Sequence, residues 1–476
     1  MRLFLRARTP LTAVSLLAGA ALSACATLPP TGVVRVAKAP ESYATAQSLA
    51  APSRDWPADA WWTAYGDPQL NGLMAEALAG SPGLASADAR VRRAAALEMH
   101  GRLGPTISAN ASVEQSKQSY NAGIPAEFVP QGYNDYGRAT LDFSWELDFW
   151  GRNRAAVAAA VSDTRAAEAE AAEARLMLST NVAAAYASLA RLYAERDVAE
   201  RSMTVQGETS KLVADRVAGG LDTLGEQRQA EANPLQAKAD LAAIDEQIAL
   251  ARNQLAALAG AGPDRGLSIA RPAVTMLKPM GIPAQLAANL VGRRPDIAAA
   301  RWRAEAAVQR IHEAGAAFYP DVNLVAFVGV QSLFLKRLTD AGSDIGQAGP
   351  AVSLPIFNGG RLKAGLRGAE ADRDAAVASY DAAVTEAFRQ VADVLASNRA
   401  VQAQIVSSRA ALAASEDAYR IAKLRYQGGL STYPAVLLAE QAVLQRRRTI
   451  ADLDARALVL DVQLIRALGG GYRAAA

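Results

Sequence analysis

Tyr426–Thr432 reads YQGGLST, and Val217–Thr223 reads VAGGLDT. The two stretches lie 209 residues apart, counted from Gly220 to Gly429 or from Thr223 to Thr432. The same offset pairs Gly151 with Gly360, Arg152 with Arg361, Asp163 with Asp372, Arg216 with Arg425, Glu231 with Glu440, Leu255 with Leu464 and Gly260 with Gly469, without a gap. Upstream, SPGLASADARVR (Ser81–Arg92) is matched by RPDIAAARWRAE (Arg294–Glu305) at an offset of 213. The chain therefore reads as a duplication, each half one copy of the same architecture. The period far exceeds that of a solenoid repeat, and each half carries its own hairpin turn.

Each half is read in the same order. The stretch 70–102 is alanine-rich with helical apolar spacing, and Pro82 and Gly83 interrupt its start. In 106–115, Ile107, Ala109, Ala111 and Val113 alternate with polar residues, which predicts a strand. A polar loop with Gly123, Pro125, Pro130 and Gly132 follows, and 136–147 alternates again, with Leu141, Phe143 and Trp145 on one face and Arg138, Asp142 and Glu146 on the other. Strands of this length cross an outer membrane when tilted, although alternation alone also suits a hairpin lying on a soluble core. The stretch 152–217 reads as one helix, roughly 100 Å long at 1.5 Å per residue, which no globular core could bury. Gly219 and Gly220 turn the chain, and Asp222 or Thr223 caps a return helix, 223–258, that Pro234 should kink or break. The second half repeats the plan: a short helix at 284–317, strands at 321–330 and 346–356, a long helix at 360–426 and its return at 432–467.

Composition agrees. Across 476 residues, 50 Lys plus Arg against 47 Asp plus Glu leave almost no net charge, which argues against a nucleic-acid partner. Aromatics are only 6% against 51% apolar residues, and alanine fills the difference, as in closely packed long helices. The first residues read as a secretory leader: Arg2, Arg6 and Arg8, then a short apolar run from Leu11 to Leu22. Leu22-Ser23-Ala24-Cys25 resembles a bacterial lipobox, with the mature chain beginning at an acylated Cys25, the only cysteine. An ordinary cleavage site with a passenger thiol is the alternative. Ala26 in place of aspartate favours the outer membrane. The expected division is a leader at 1–24, a lipidated segment at 25–69, a first repeat at 70–260, a linker at 261–283, a second repeat at 284–469 and a tail at 470–476.

Four strands cannot close a barrel, and an open sheet edge is forbidden in lipid. Spanning strands would therefore require oligomerisation. WELDFWGR (Trp145–Arg152), RRPDI (Arg293–Ile297), AFYPDV (Ala317–Val322), GPAVSLPIFNGGR (Gly349–Arg361) and LRYQGGLST (Leu424–Thr432) resemble motifs of the outer-membrane efflux protein family, the TolC-like and OprM-like group, and the lipobox points to its NodT-type lipoproteins. The resemblance covers essentially the whole mature chain. It implies a mainly α fold with β: a homotrimer whose four strands per protomer form a 12-stranded β-barrel, continued by an α-helical barrel and girdled by a mixed equatorial domain. It further implies an exit duct without enzymatic chemistry or cofactor, served by a periplasmic adaptor and an inner-membrane pump of the resistance-nodulation-division type. A duct for peptide or protein secretion is the alternative within this reading. A lipid-anchored periplasmic coiled coil is the alternative outside it.

On this resemblance Gly219, Gly220, Leu221, Gly428, Gly429, Leu430 and Ser431 form the tip that meets the adaptor. Arg216, Asp222, Arg425 and Glu440 are the candidate gate residues. Family members often carry acidic residues just past the second turn. Here that segment reads STYPAVLLAEQ, with Leu438 where an aspartate is common and Glu440 the only acid. The pairs at the tip are expected to be exposed, worth ~0–1 kcal/mol each. No catalytic or metal site is expected: His100 and His312 have no metal-ligand partner at helical spacing.

Overall fold

The computed structural model describes residues 35–101, 104–273, 281–284 and 286–474. Cys25 and the leader lie outside the described residues. Among those described, the helices are α1 (Pro68–Gly80), α2 (Pro82–Gly101), α3 (Arg152–Ala218), α4 (Leu224–Leu258), α5 (Asp264–Leu267), α6 (Leu286–Arg293), α7 (Pro295–Ala316), α8 (Arg361–Gln427) and α9 (Tyr433–Ala467). The strands are β1 (Thr106–Ser116), β2 (Asn134–Glu146), β3 (Asp321–Ser332) and β4 (Asp344–Ser353). No described helix is long and apolar enough to cross a membrane, which says nothing of a β-barrel.

Two compact units draw on both halves of the sequence. The first takes in 92–165 and 302–378, and the second takes in 37–91, 166–301 and 379–476. The first unit holds one antiparallel sheet in the order β1-β2-β3-β4. Its register joins the apolar alternations of separate strands into rows: Ile107, Phe143, Ala326 and Ala348 lie side by side, as do Ala109, Leu141, Val328 and Gly346. Directly opposed residues share a face, so the period of two in each strand becomes one apolar face of the whole sheet. Ile107, Val113, Leu141 and Val328 are more than half exposed on it. Gly329 is obligatory: a Cβ there would sit 2.1 Å from the Ala139 carbonyl oxygen of the neighbouring strand. At the end of the hairpins WELDFWGR meets AFYPDV. Trp150 stacks on Tyr319 at 4.7 Å and donates its indole N–H to the Pro320 carbonyl at 2.9 Å.

The second unit buries its apolar side chains in repeated fashion. One cluster joins Leu70, Leu73 and Ala77 of α1 to Val182, Tyr186 and Leu189 of α3 and Leu255 of α4. Another joins Leu290 of α6 and Ile297 of α7 to Val384, Val391 and Leu395 of α8 and Leu464 of α9. Val182 and Val391, and Leu255 and Leu464, occupy matching places at the 209-residue offset. Each fully buried aliphatic side chain contributes about 1.5–3 kcal/mol. The helix ends touch in the same pattern. A Cβ on Gly260 would meet the Gly80 carbonyl oxygen at 2.2 Å, and one on Gly469 would meet the Arg293 carbonyl oxygen at 1.8 Å.

Two expectations change and one is made definite. The interruption expected at Pro82 and Gly83 divides the first stretch into two helices, and 284–317, expected to be one helix, is also divided. Ser81 separates α1 from α2, and Arg294 separates α6 from α7. In both places a proline follows and disfavours the helical conformation of the residue before it. The break at Arg294 has a use, since its buried guanidinium donates to the Ala467 carbonyl at 2.9 Å and caps the last turn of α9. Pro234 does not break its helix: α4 runs unbroken from Leu224 to Leu258. Proline deprives the Ala230 carbonyl of its usual donor, but Ala230 and Ala237 on either side are buried in lateral packing that holds the helix together.

Candidate functional site

The two glycine turns lie in the second unit and close their helices by one device. After α3, Gly219 N–H donates to the Asp215 carbonyl, Gly220 N–H to Val217 and Leu221 N–H to Arg216, the last at 2.8 Å. After α8, Gly428 donates to Leu424, Gly429 to Tyr426 and Leu430 to Arg425, the last again at 2.8 Å. Each number has risen by 209. Gly220 at φ 71° and Gly429 at φ 73° take the left-handed conformation this termination requires. Thr223 then starts α4 with a capping box: its hydroxyl accepts from Glu226 N–H at 3.2 Å, and the Glu226 carboxylate accepts from Thr223 N–H at 2.9 Å. Leu221 and Leu430 project at 67% and 72% exposure, beside exposed Gly219, Gly220, Gly428 and Gly429; Ser431 is half-buried.

Side chains behind the turns tie the two hairpins together. Arg216 holds Asp222 in a fork, with Nε to Oδ2 at 2.9 Å and Nη2 to Oδ1 at 3.2 Å. Its remaining nitrogen, Nη1, donates to the Tyr426 main-chain carbonyl at 2.9 Å, at the end of α8. The guanidinium also lies over the Tyr426 ring, 4.4 Å from its centre, and the Tyr426 hydroxyl donates to Asp222 Oδ2. The side chains of Arg216 and Asp222 are only 12% and 6% exposed. The pair is therefore sheltered, not the exposed surface pair anticipated, and forked charge-assisted bonds are the strong kind. Burial pulls the Asp222 carboxyl upward, but the bonds from Arg216 and Tyr426 outweigh it and hold the group below the ordinary carboxylate range. Burial and then Asp222 push the Tyr426 hydroxyl far up, so it stays a neutral donor.

Tyr426 is fully buried and packs with Val213, Ala230, Tyr433, Val436 and Leu437. The Tyr433 hydroxyl accepts from Asn233 of α4 at 2.8 Å. Neither tyrosine was singled out from the sequence. The available signal was an aromatic residue two positions before the helix-ending GG in one copy alone, since Val217 holds Tyr426's place in the other. The second turn has no such latch. Ser431 stands where the first has Asp222, and the exposed Arg425 side chain has no hydrogen-bond or ion-pair partner among the described residues. Past the second turn Leu438 is 71% exposed, whereas Glu440 is buried at 4%. His312 is exposed, and no group of three or more potential metal-binding side chains occurs among the described residues.

The outer membrane efflux protein family model matches residues 73–261 and 286–470, one segment for each half. The chain is 33% identical over 457 residues to the multidrug resistance outer membrane protein MdtP of Escherichia coli O6:H1, covering 92% of this chain and 91% of that one. It is 37% identical over 334 residues to the fusaric acid resistance protein FusA of Burkholderia cepacia, covering 68% of this chain and 62% of that one. Among solved structures, the outer membrane protein VceC of Vibrio cholerae is similar with a TM-score of 0.81 and 45% identity, over 88% of this chain and all of that chain.

Proposed function

The chain belongs to the outer membrane efflux protein family, and from that membership we propose that it is the exit duct of a tripartite exporter, built from three copies. The coarser role is direct: it is an outer-membrane efflux channel, a passive conduit and not an enzyme. The observation that supports three copies is the sheet. Its order β1-β2-β3-β4 leaves an unpaired edge at each end, and its exposed face is apolar. Lipid does not tolerate an open edge, and three such sheets make a barrel of twelve strands. The long helices of the three copies line a tunnel through the periplasm. Acylated Cys25 anchors the assembly in the outer membrane.

At the tip, Gly219, Gly220 and Leu221, with Gly428, Gly429, Leu430 and Ser431, offer exposed backbone and two leucines to a periplasmic adaptor. That adaptor joins the duct to an inner-membrane pump of the resistance-nodulation-division type. Arg216, Asp222 and Tyr426 hold the two hairpins of one chain together and form the closed state of a gate. Arg425, with no acidic partner in its own turn, is free to pair with a neighbouring copy or the adaptor. The relatives named for multidrug and fusaric acid resistance favour small toxic compounds as cargo.

The test is the purified protein in a planar bilayer, with particle mass measured in the same detergent. A trimer giving discrete conductance steps is expected. A monomer without conductance would overturn the duct and leave a periplasmic coiled coil.

A further inference from the structure

Glu440 is the one acid in the segment after the second turn, and it does not face solvent. It is 4% exposed on α9, and its Oε1 has no hydrogen-bond partner among the described residues. The groups that bear on it come from three helices. Gln206 of α3 hydrogen-bonds the carboxyl and Lys423 of α8 attracts it. Tyr419 of α8 and Tyr433 of α9 lie within electrostatic reach, and Glu208 of α3 acts on Tyr419 in turn. Gln206 Oε1 also has no hydrogen-bond partner among the described residues, and the Tyr419 hydroxyl meets Thr209 of α3. Buried oxygen atoms left in this way are costly. An ionised Glu440 is a buried charge whose Oε1 meets no donor among the described residues. A protonated Glu440 removes that charge and brings a donor, and Gln206, its hydrogen-bond partner, carries an unpartnered buried Oε1 of its own. Water comes near on one side: Gln206 lines a polar cavity of 290 Å³ with Asn233, Gln236, Asp240, Gln441 and Arg448.

We propose that Glu440 is a proton-operated lock on the packing of α3, α8 and α9 behind the tip: with its proton the three helices close over it, and without the proton they part to let the carboxylate reach water. This rests on the duct reading only for what the parting does to flow; the titration of the packing stands by itself. Burial raises the carboxyl to about 7, against the smaller opposing pull of Gln206 and Lys423. A carboxyl raised in the packed state stabilises that state fully below its solvated value. It loses that contribution as pH rises to the packed value. The window runs from 4.5 to about 7. Within it the opening constant rises about tenfold per pH unit, on the order of 300-fold in total, and then levels off.

The experiment uses the full-length chain in detergent and compares it with Glu440→Gln, which keeps the size of the side chain and removes the charge. Hydrogen exchange of the segments around Gln206, Tyr419 and Glu440 is followed from about pH 5 to about pH 8.5 and corrected for intrinsic exchange. The expected result is an opening constant that climbs and levels near neutrality in the parent and stays flat in the variant. A flat parent, or a variant with the same slope, overturns the lock. Infrared difference spectra of parent against variant read the protonated carboxyl directly: a band persisting at about pH 6 supports the lock, and its absence at that pH overturns it. Bilayer conductance separates the two readings. A lock that titrates while the protein gives no conductance at any pH upholds this inference and counts against the duct, whereas a conducting protein without the titration overturns the inference and leaves the duct standing.

Discussion

The Arg216 guanidinium reaches across 210 residues of sequence to the main-chain carbonyl of Tyr426, at 2.9 Å. The same guanidinium grips Asp222 within its own turn. One side chain thus makes the position of the second hairpin depend on the conformation of the first. Removing the acid should release both. Asp222→Asn is expected to weaken this local structure by about 1–3 kcal/mol, read as faster hydrogen exchange in 213–222 and 422–430. If the latch is the gate, steady conductance rises in the same variant. Unchanged exchange would show that the fork carries no stability.

Asp222 and Glu440 respond to pH in opposite windows. A carboxyl depressed in the folded state stabilises it above the unfolded value, and that contribution is lost as pH falls through the folded value. Asp222 is depressed from 3.8, so the fork should hold at neutral pH and fail only under strongly acidic conditions. Exchange of the Leu221 amide, followed downward from neutrality, should stay slow past the point where free carboxylates protonate. Loss of protection already at mildly acidic pH would contradict the geometry.

The glycines at the helix ends separate conformational cost from contact cost. A Cβ on Gly429 meets nothing within 4 Å, so Gly429→Ala carries only its φ of 73°, about 1–2 kcal/mol. Gly469→Ala carries a similar φ and drives a methyl to 1.8 Å from the Arg293 carbonyl oxygen, which should add about 1–3 kcal/mol of overpacking. Thermal unfolding should therefore rank Gly469→Ala well below Gly429→Ala. Equal midpoints would deny the close approach of α9 to α6.

The sheet offers a test of which face meets lipid. Leu141→Arg lies in the apolar row with Ala109 and Val328 and should cost about 2–4 kcal/mol of folding into vesicles. Ser108→Arg, opposite Asp142 on the other face, should cost far less. Equal penalties would place both faces in one medium.

The strands were legible because their signal is local: the alternation around Ile107 and Leu141 is a consequence of the pleat itself. The turns were legible because glycine is needed at positive φ, and the chain wrote that need twice. The helix break at Arg294 was harder to read than the one at Ser81, since proline suits a first turn as well as it ends a preceding helix. The latch was only half legible. Arg216 and Asp222 stand six residues apart and invite pairing. Their shelter comes from Tyr426 and Tyr433, which the turns bring in from the other repeat. Glu440 shows the same limit: its helix was readable, but which way it points depends on neighbours distant in sequence.

The two unpaired edges of the sheet also have a genetic meaning. In the proposed ring of three, each copy must present a sound β1 to one neighbour and a sound β4 to the other. A variant whose β4 cannot pair, for instance with proline substituted at Gln347 opposite Phe327, does not simply drop out when it can still join through β1. It carries two normal copies into a ring that cannot close. With equal expression of both alleles, only about one ring in eight contains normal copies alone, if they mix at random. Edge variants should therefore behave as dominant, while variants that prevent folding of the whole chain should be recessive.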